Sequence, residues 1–124
     1  MIDAKTLHEI ALSLPEAHSS SDEFRFGFGV RDKGFAWSWS ERVDPKKPRI
    51  PRLDVLAVRC ARAEKETILA SDPEVFVTEP HYNGFPAVLV RLDRIEVESL
   101  SGLLRSAWMQ VAPKALVKQF LSEA

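Results

Sequence analysis

The chain has 124 residues, 45% hydrophobic and 28% charged, with a formal net charge of −1 at pH 7. A single domain of this length, residues 1–124, buries roughly two-thirds of its unfolded surface, enough for one core. No apolar run approaches the ~20 residues that a membrane helix needs, and the first residues lack a charged-then-apolar signal pattern, so no membrane partner and a cytoplasmic location are expected.

In chain order, Asp3 suits a helix N-cap, with Leu7, Ile10, Ala11 and Leu14 following at helical spacing until Pro15 stops the run. Residues 18–22 read as a polar loop. Phe24, Phe26, Phe28 and Val30 alternate with polar or glycine positions, the pattern of a half-buried strand. A turn at 31–34 leads to a second strand, in which Phe35, Trp37 and Trp39 are expected to share one face. Pro45, Pro48 and Pro51 break the pattern over residues 41–52. Residues 53–59 form a third strand, with Leu53, Val55 and Ala57 on one side. Residues 61–70 read as a helix, Ile68 and Leu69 inward and Arg62 and Glu66 forming an exposed pair.

Asp72-Pro73 ends that helix and a hairpin follows, from strand 75–79 to strand 86–92, with His81–Gly84 at the tip. Asn83-Gly84 is a tight-turn signal because both residues tolerate positive φ. The apolar tetrad Ala87-Val88-Leu89-Val90 fits a strand buried on both faces. Val97, Leu100, Leu104, Ala107, Trp108 and Val111 mark an amphipathic helix of about four turns. Pro113 opens a final helix over 114–121 that buries Leu116, Val117 and Phe120. The order α-β-β-β-α-β-β-α-α predicts an α+β two-layer sandwich: a five-stranded antiparallel sheet with helices on one side.

Three stretches carry a resemblance. They are Asp72-Pro73-Glu74-Val75-Phe76, the run His81-Tyr82-Asn83-Gly84-Phe85-Pro86-Ala87-Val88-Leu89-Val90-Arg91-Leu92, and Ala107-Trp108 followed by Ala112-Pro113-Lys114. With the more generic Ala11-Leu12-Ser13-Leu14-Pro15-Glu16 and Lys33-Gly34-Phe35-Ala36, the sequence resembles the MmcQ/YjbR family along nearly its whole length. The resemblance implies a YjbR-like fold, similar to secretion-chaperone-like domains, and it implies DNA as a partner. It brings no catalytic residues and no cofactor.

Residues 42–52 hold five bases (Arg42, Lys46, Lys47, Arg49, Arg52) against one acid, Asp44. Near-neutral total charge argues against strong sequence-independent nucleic-acid affinity, which comes from neutralised phosphates, so weak DNA binding would fall to such a local patch. A basic loop leaving a sheet can lie along phosphates, helped here by Arg25, Arg31 and Lys33. Prolines every third residue favour an extended polyproline II conformation, and Arg42-x-x-Pro45-x-x-Pro48 matches a proline-rich ligand pattern. The alternatives are a plain solvated loop, or a protein-interaction domain using this loop or the sheet face.

A small-ligand site at His81, Tyr82 and Asn83 is the third option. His81 is a possible general base, yet no nucleophile or orienting acid stands at a diagnostic spacing, so the expectation is a non-enzyme. His8, His18 and His81 lie on separate elements without metal-ligand spacing, so no metal site is expected. Gly27-x-Gly29 lacks a third glycine and a following helix, so no dinucleotide fingerprint is present. Cys60 stands beside Arg59 and Arg62, which would lower its pKa; the alternative is a small buried hydrophobe. Trp108 falls on the core stripe, and Lys114 and Lys118 form one exposed, solvated face.

Overall fold

The computed structural model describes residues 1–123. Its elements are α1 (Ala4–Leu12), β1 (Ala17–Ser19), β2 (Gly27–Val30), β3 (Lys33–Glu41), β4 (Ile50–Arg59), α2 (Arg62–Ser71), β5 (Phe76–Val77), β6 (Ala87–Arg91), α3 (Val97–Val111) and α4 (Lys114–Glu123). A one-turn 3₁₀ helix, Pro80–Tyr82, lies between β5 and β6. The strands form one antiparallel sheet in the order β1-β2-β3-β4-β6-β5.

The sheet has six strands where the sequence predicts five. The addition is β1, inside the segment read as a polar loop. Its side chains are mostly exposed, so it has no buried face to generate a periodic signal. It pairs Ala17, His18 and Ser19 with Val30, Gly29 and Phe28. Gly29 permits this: a Cβ there would sit 2.7 Å from the Lys33 carbonyl oxygen and 3.1 Å from His18 Cε1.

Two irregularities set the faces. Phe28 opposes Ala36 while Gly29 opposes Gly34, so Phe35 is an extra, bulged residue. Phe35 and Ala36 therefore both enter the core, at 0% exposure, and the alternation restarts one residue out of phase. Trp37 consequently leaves Phe35 and points to the opposite face, overturning the expected single aromatic face. In the β3–β4 pair, Ser38 opposes Leu56 but Ser40 opposes Pro51, so residues 52–55 bulge away from β3 opposite Trp39, while Val55 stays paired with Arg91 of β6.

The core lies between the helices and one sheet face. Leu7 and Ala11 of α1 and Leu100, Leu104, Ala107 and Trp108 of α3 meet Phe28, Leu56, Val58, Val88 and Val90. Asp3 caps α1 as expected, its Oδ1 accepting from the Thr6 N–H at 2.8 Å. Trp108 is fully buried, donates Nε1–H to the Pro15 carbonyl at 2.9 Å and meets Phe120 of α4 edge-on at 5.0 Å. On the other face, Ala57, Ala87 and Leu89 are buried although they stand outside this cluster. β6 is thus buried on both sides, as its apolar tetrad predicts.

Candidate functional site

The basic stretch of residues 42–52 forms the tip and returning edge of the β3–β4 hairpin. It is not an extended polyproline segment. Lys47 N–H bonds back to the Asp44 carbonyl at 3.0 Å, Asp44 Oδ1 accepts from the Lys46 N–H at 2.9 Å, and Arg42 Nη1 donates to the carbonyls of Pro45 and Lys47 at 3.2 Å each. Asp44 nucleates a turn through its side chain and the prolines fit around it, so the expected ligand-like extension is lost.

The five bases of this stretch divide by partner. Arg52 is neutralised: it reaches Glu41 Oε1 at 2.9 Å and both Asp54 oxygens at 3.0 and 2.8 Å, and the two carboxylates hold its pKa above the usual arginine range. Arg49 donates to the Ser40 carbonyl at 2.9 Å, and Arg42 is held only by carbonyls of its own loop. Lys46 and Lys47 are exposed, and among the described residues neither side chain has a hydrogen-bond or salt-bridge partner. A carbonyl aims a guanidinium without cancelling its charge, so the tip keeps four cations against Asp44, with one surplus negative charge from the Glu41–Arg52–Asp54 cluster at its base. Val43 and Ile50 flank it, 73% and 58% exposed.

The helper residues do not gather there as a group. Arg31 and Lys33 stand at the β2–β3 turn, the opposite end of nine-residue β3, about 26 Å along the strand from the tip. Arg31 is also spoken for: its Nε lies 2.7 Å from Glu16 Oε1, and this bond lowers the Glu16 pKa and raises that of Arg31. Arg25 precedes β2, on the tip's side of the sheet, and its side chain is exposed.

The signature turn is held from within. Tyr82, Asn83, Gly84 and Phe85 make a type II turn, with Asn83 at φ −62°, ψ 127° and Gly84 at φ 79°, closed by Phe85 N–H to the Tyr82 carbonyl at 3.0 Å. Only Gly84 uses positive φ. Lys65 of α2, 7% exposed, donates Nζ–H to the Phe85 carbonyl at 2.8 Å and to the Tyr82 carbonyl, and Arg62 donates to the Gly84 carbonyl. Arg62 thus serves the turn rather than the expected pair with Glu66. Sequence reasoning passed over Lys65, although its i+3 and i+4 neighbours Ile68 and Leu69 pack on the core; a lysine on an apolar stripe was the available signal.

Tyr82 Oη accepts from Trp37 Nε1–H at 3.2 Å. Arg59 stacks over Trp37 and Phe85 at 5.5 and 5.8 Å from the ring centres and donates to the Gly34 carbonyl at 2.8 Å. His81 is exposed and meets only the edge of Tyr82, with ring centres 5.7 Å apart. Asn83 borders a shallow concavity beside Arg62 and Lys65, and His81 stays outside it. The other two histidines bond locally: His8 Nδ1 to the Ala4 carbonyl and His18 Nε2 to the Arg31 carbonyl. Cys60 is buried, and desolvation pushes its thiol pKa up, opposite to activation by Arg59 and Arg62.

The fold and these contacts define an α+β domain in which one antiparallel sheet carries its helices on one face and the turn that leads into β6 is stapled by α2. The sequence matches the YjbR family over residues 12–110, and the chain belongs to that family. Uncharacterized proteins of Mycobacterium tuberculosis and Mycobacterium bovis are 44% identical to it over 75 residues, 60% of this chain and 58% of their own length. The chain therefore matches less than two thirds of these relatives. The crystal structure of Deinococcus radiodurans protein DR2400, a DUF419 domain, superposes with a TM-score of 0.63 at 22% identity, covering 91% of this chain and 83% of that one. That likeness concerns the fold. No helix among the described residues is long and apolar enough to cross a membrane.

Proposed function

We propose that this protein is a non-catalytic module that contacts nucleic-acid phosphates, weakly, through the tip of the β3–β4 hairpin. The observation that supports this reading is the partnering of its cations. Arg42 and Arg49 are oriented by carbonyls alone, Lys46 and Lys47 are free among the described residues, and the four face Asp44 and one surplus negative charge at the Glu41–Arg52–Asp54 cluster, a local excess of two positive charges. A stiff two-stranded ribbon with a basic tip and exposed Val43 and Ile50 suits a groove edge, where cations meet phosphate and apolar side chains meet sugar. Arg25 can extend the contact; Arg52, Arg31 and Lys33 drop out of it through neutralisation or distance.

The test is retention on duplex DNA against salt. The four tip cations with Arg25 as a fifth give a log–log slope no steeper than about −4.5. Lys46→Ala with Lys47→Ala should bring the slope about two units closer to zero. Absence of any salt-dependent retention of the wild type at low ionic strength ends the proposal. A second reading, a protein-interaction surface, is favoured by one observation: Trp37, Tyr82, Arg59 and a 38%-exposed Phe85 form an aromatic and cationic patch on the open sheet face. Phe85→Ala should then lose a partner that the hairpin-tip variant retains.

A further inference from the structure

The β2–β3 turn and the end of α3 form a groove with α4. The groove is open to solvent and has a volume of about 850 Å³, within the size range of small-molecule sites. Its floor is apolar: Met109, Val111, Val117 and Leu121 line it, and Leu121 is 56% exposed. Its rim is cationic, with Lys33, Lys114 and Lys118 beside Arg31, and Asp32 is the one lining acid among the described residues. Arg31 is occupied by Glu16, while none of the three lysines has a salt-bridge partner among the described residues. The α4 wall lies beyond residues 12–110, outside the stretch that matches the family.

We propose that this groove binds an amphiphilic anion, specifically a straight-chain aliphatic carboxylate. Three free ammonium groups around an apolar trough complement a negative head and a hydrocarbon tail. Among the described residues no aromatic side chain lines the floor, so bases have nothing to stack on and a nucleic acid gains little beyond its phosphates. An inorganic anion leaves the floor unused, and a neutral alkane leaves the lysines unused. Lys114 and Lys118 stand one turn apart on α4, so both can reach a single carboxylate.

The experiment is a titration of the isotope-labelled full chain with sodium dodecanoate below its micelle concentration, followed by amide chemical shifts. Saturable one-to-one shifts confined to residues 31–33 and 109–121 are expected. Each methylene removed from the ligand should weaken binding by up to about fourfold. Lys114→Gln with Lys118→Gln should weaken it about tenfold through loss of two charge-assisted contacts. Leu121→Asn, at a position 56% exposed, should also weaken it. The proposal is overturned by shifts that do not saturate or that map elsewhere, or by unchanged affinity in both variants. Equal binding of dodecyltrimethylammonium or of acetate also overturns it, as does a dimer in sedimentation that covers the groove and excludes dodecanoate.

Discussion

The signature turn at residues 79–86 and the hairpin tip at residues 42–49 are both loops rich in polar and proline residues, yet they use their charges in opposite ways. Around the turn, cations point inward: Lys65 and Arg62 spend their N–H groups on carbonyls of Tyr82, Phe85 and Gly84, and Tyr82 is bonded to Trp37. At the tip, Arg42 and Arg49 brace their own hairpin while Lys46 and Lys47 face solvent. A distinctive sequence stretch is therefore not automatically a reactive one. The turn is distinctive because its backbone must be held against α2, and the tip is unremarkable as a motif but leaves charge available.

The largest effect expected from this contrast is at Lys65. Lys65→Met leaves the Tyr82 and Phe85 carbonyls without their charged donor and should cost about 2–3 kcal/mol in urea unfolding; a loss under about 0.5 kcal/mol would show that the turn does not depend on Lys65. Gly84→Ala should cost about 1–2 kcal/mol, and the cost is purely conformational, since nothing lies within 4 Å of the added Cβ. Tyr82→Phe removes the acceptor of Trp37 Nε1–H and should cost about 1 kcal/mol by the same measurement. At the tip, Lys46→Ala with Lys47→Ala should change stability by less than about 0.5 kcal/mol while altering DNA retention.

The smallest effect concerns a cation removed from play. Arg31 lowers the folded-state pKa of exposed Glu16, so their pair stabilises above the ordinary carboxylate range and fades as pH falls through the lowered value. Wild type and Glu16→Gln should therefore have matching urea midpoints at pH values below the lowered Glu16 pKa and separate as pH rises above the ordinary carboxylate range, wild type the more stable. Equal midpoints at all pH values would return Arg31 to the set of free charges.

Much of this was legible from residue pattern. The Asp3 cap of α1, the apolar stripes of α1 and α3, the buried strand β6 and the core position of Trp108 follow from local pattern, because each element must turn its apolar residues to one core. β1 was not legible, since an exposed three-residue edge strand is specified by its partner's glycines. The faces of β3 were misread because a single bulged residue, Phe35, inverts everything after it, and alternation alone carries no mark of a bulge. The five bases of residues 42–52 look equivalent in the sequence. Glu41 and Asp54 neutralise only Arg52 because the looped-out residues 52–55 bring them together.

By itself, then, the amino-acid sequence determined the α+β class, the family and the core, since these depend on hydrophobic spacing within each element. Tertiary structure alone decided which charges remain free and which concavities exist. Lys65 and the 80s turn are about twenty residues apart, and Lys33 and Lys114 about eighty, so no local pattern encodes their meeting. Long-range pairing of strands and helices brings such groups together, and it does so through backbone register, which side-chain composition reports only indirectly.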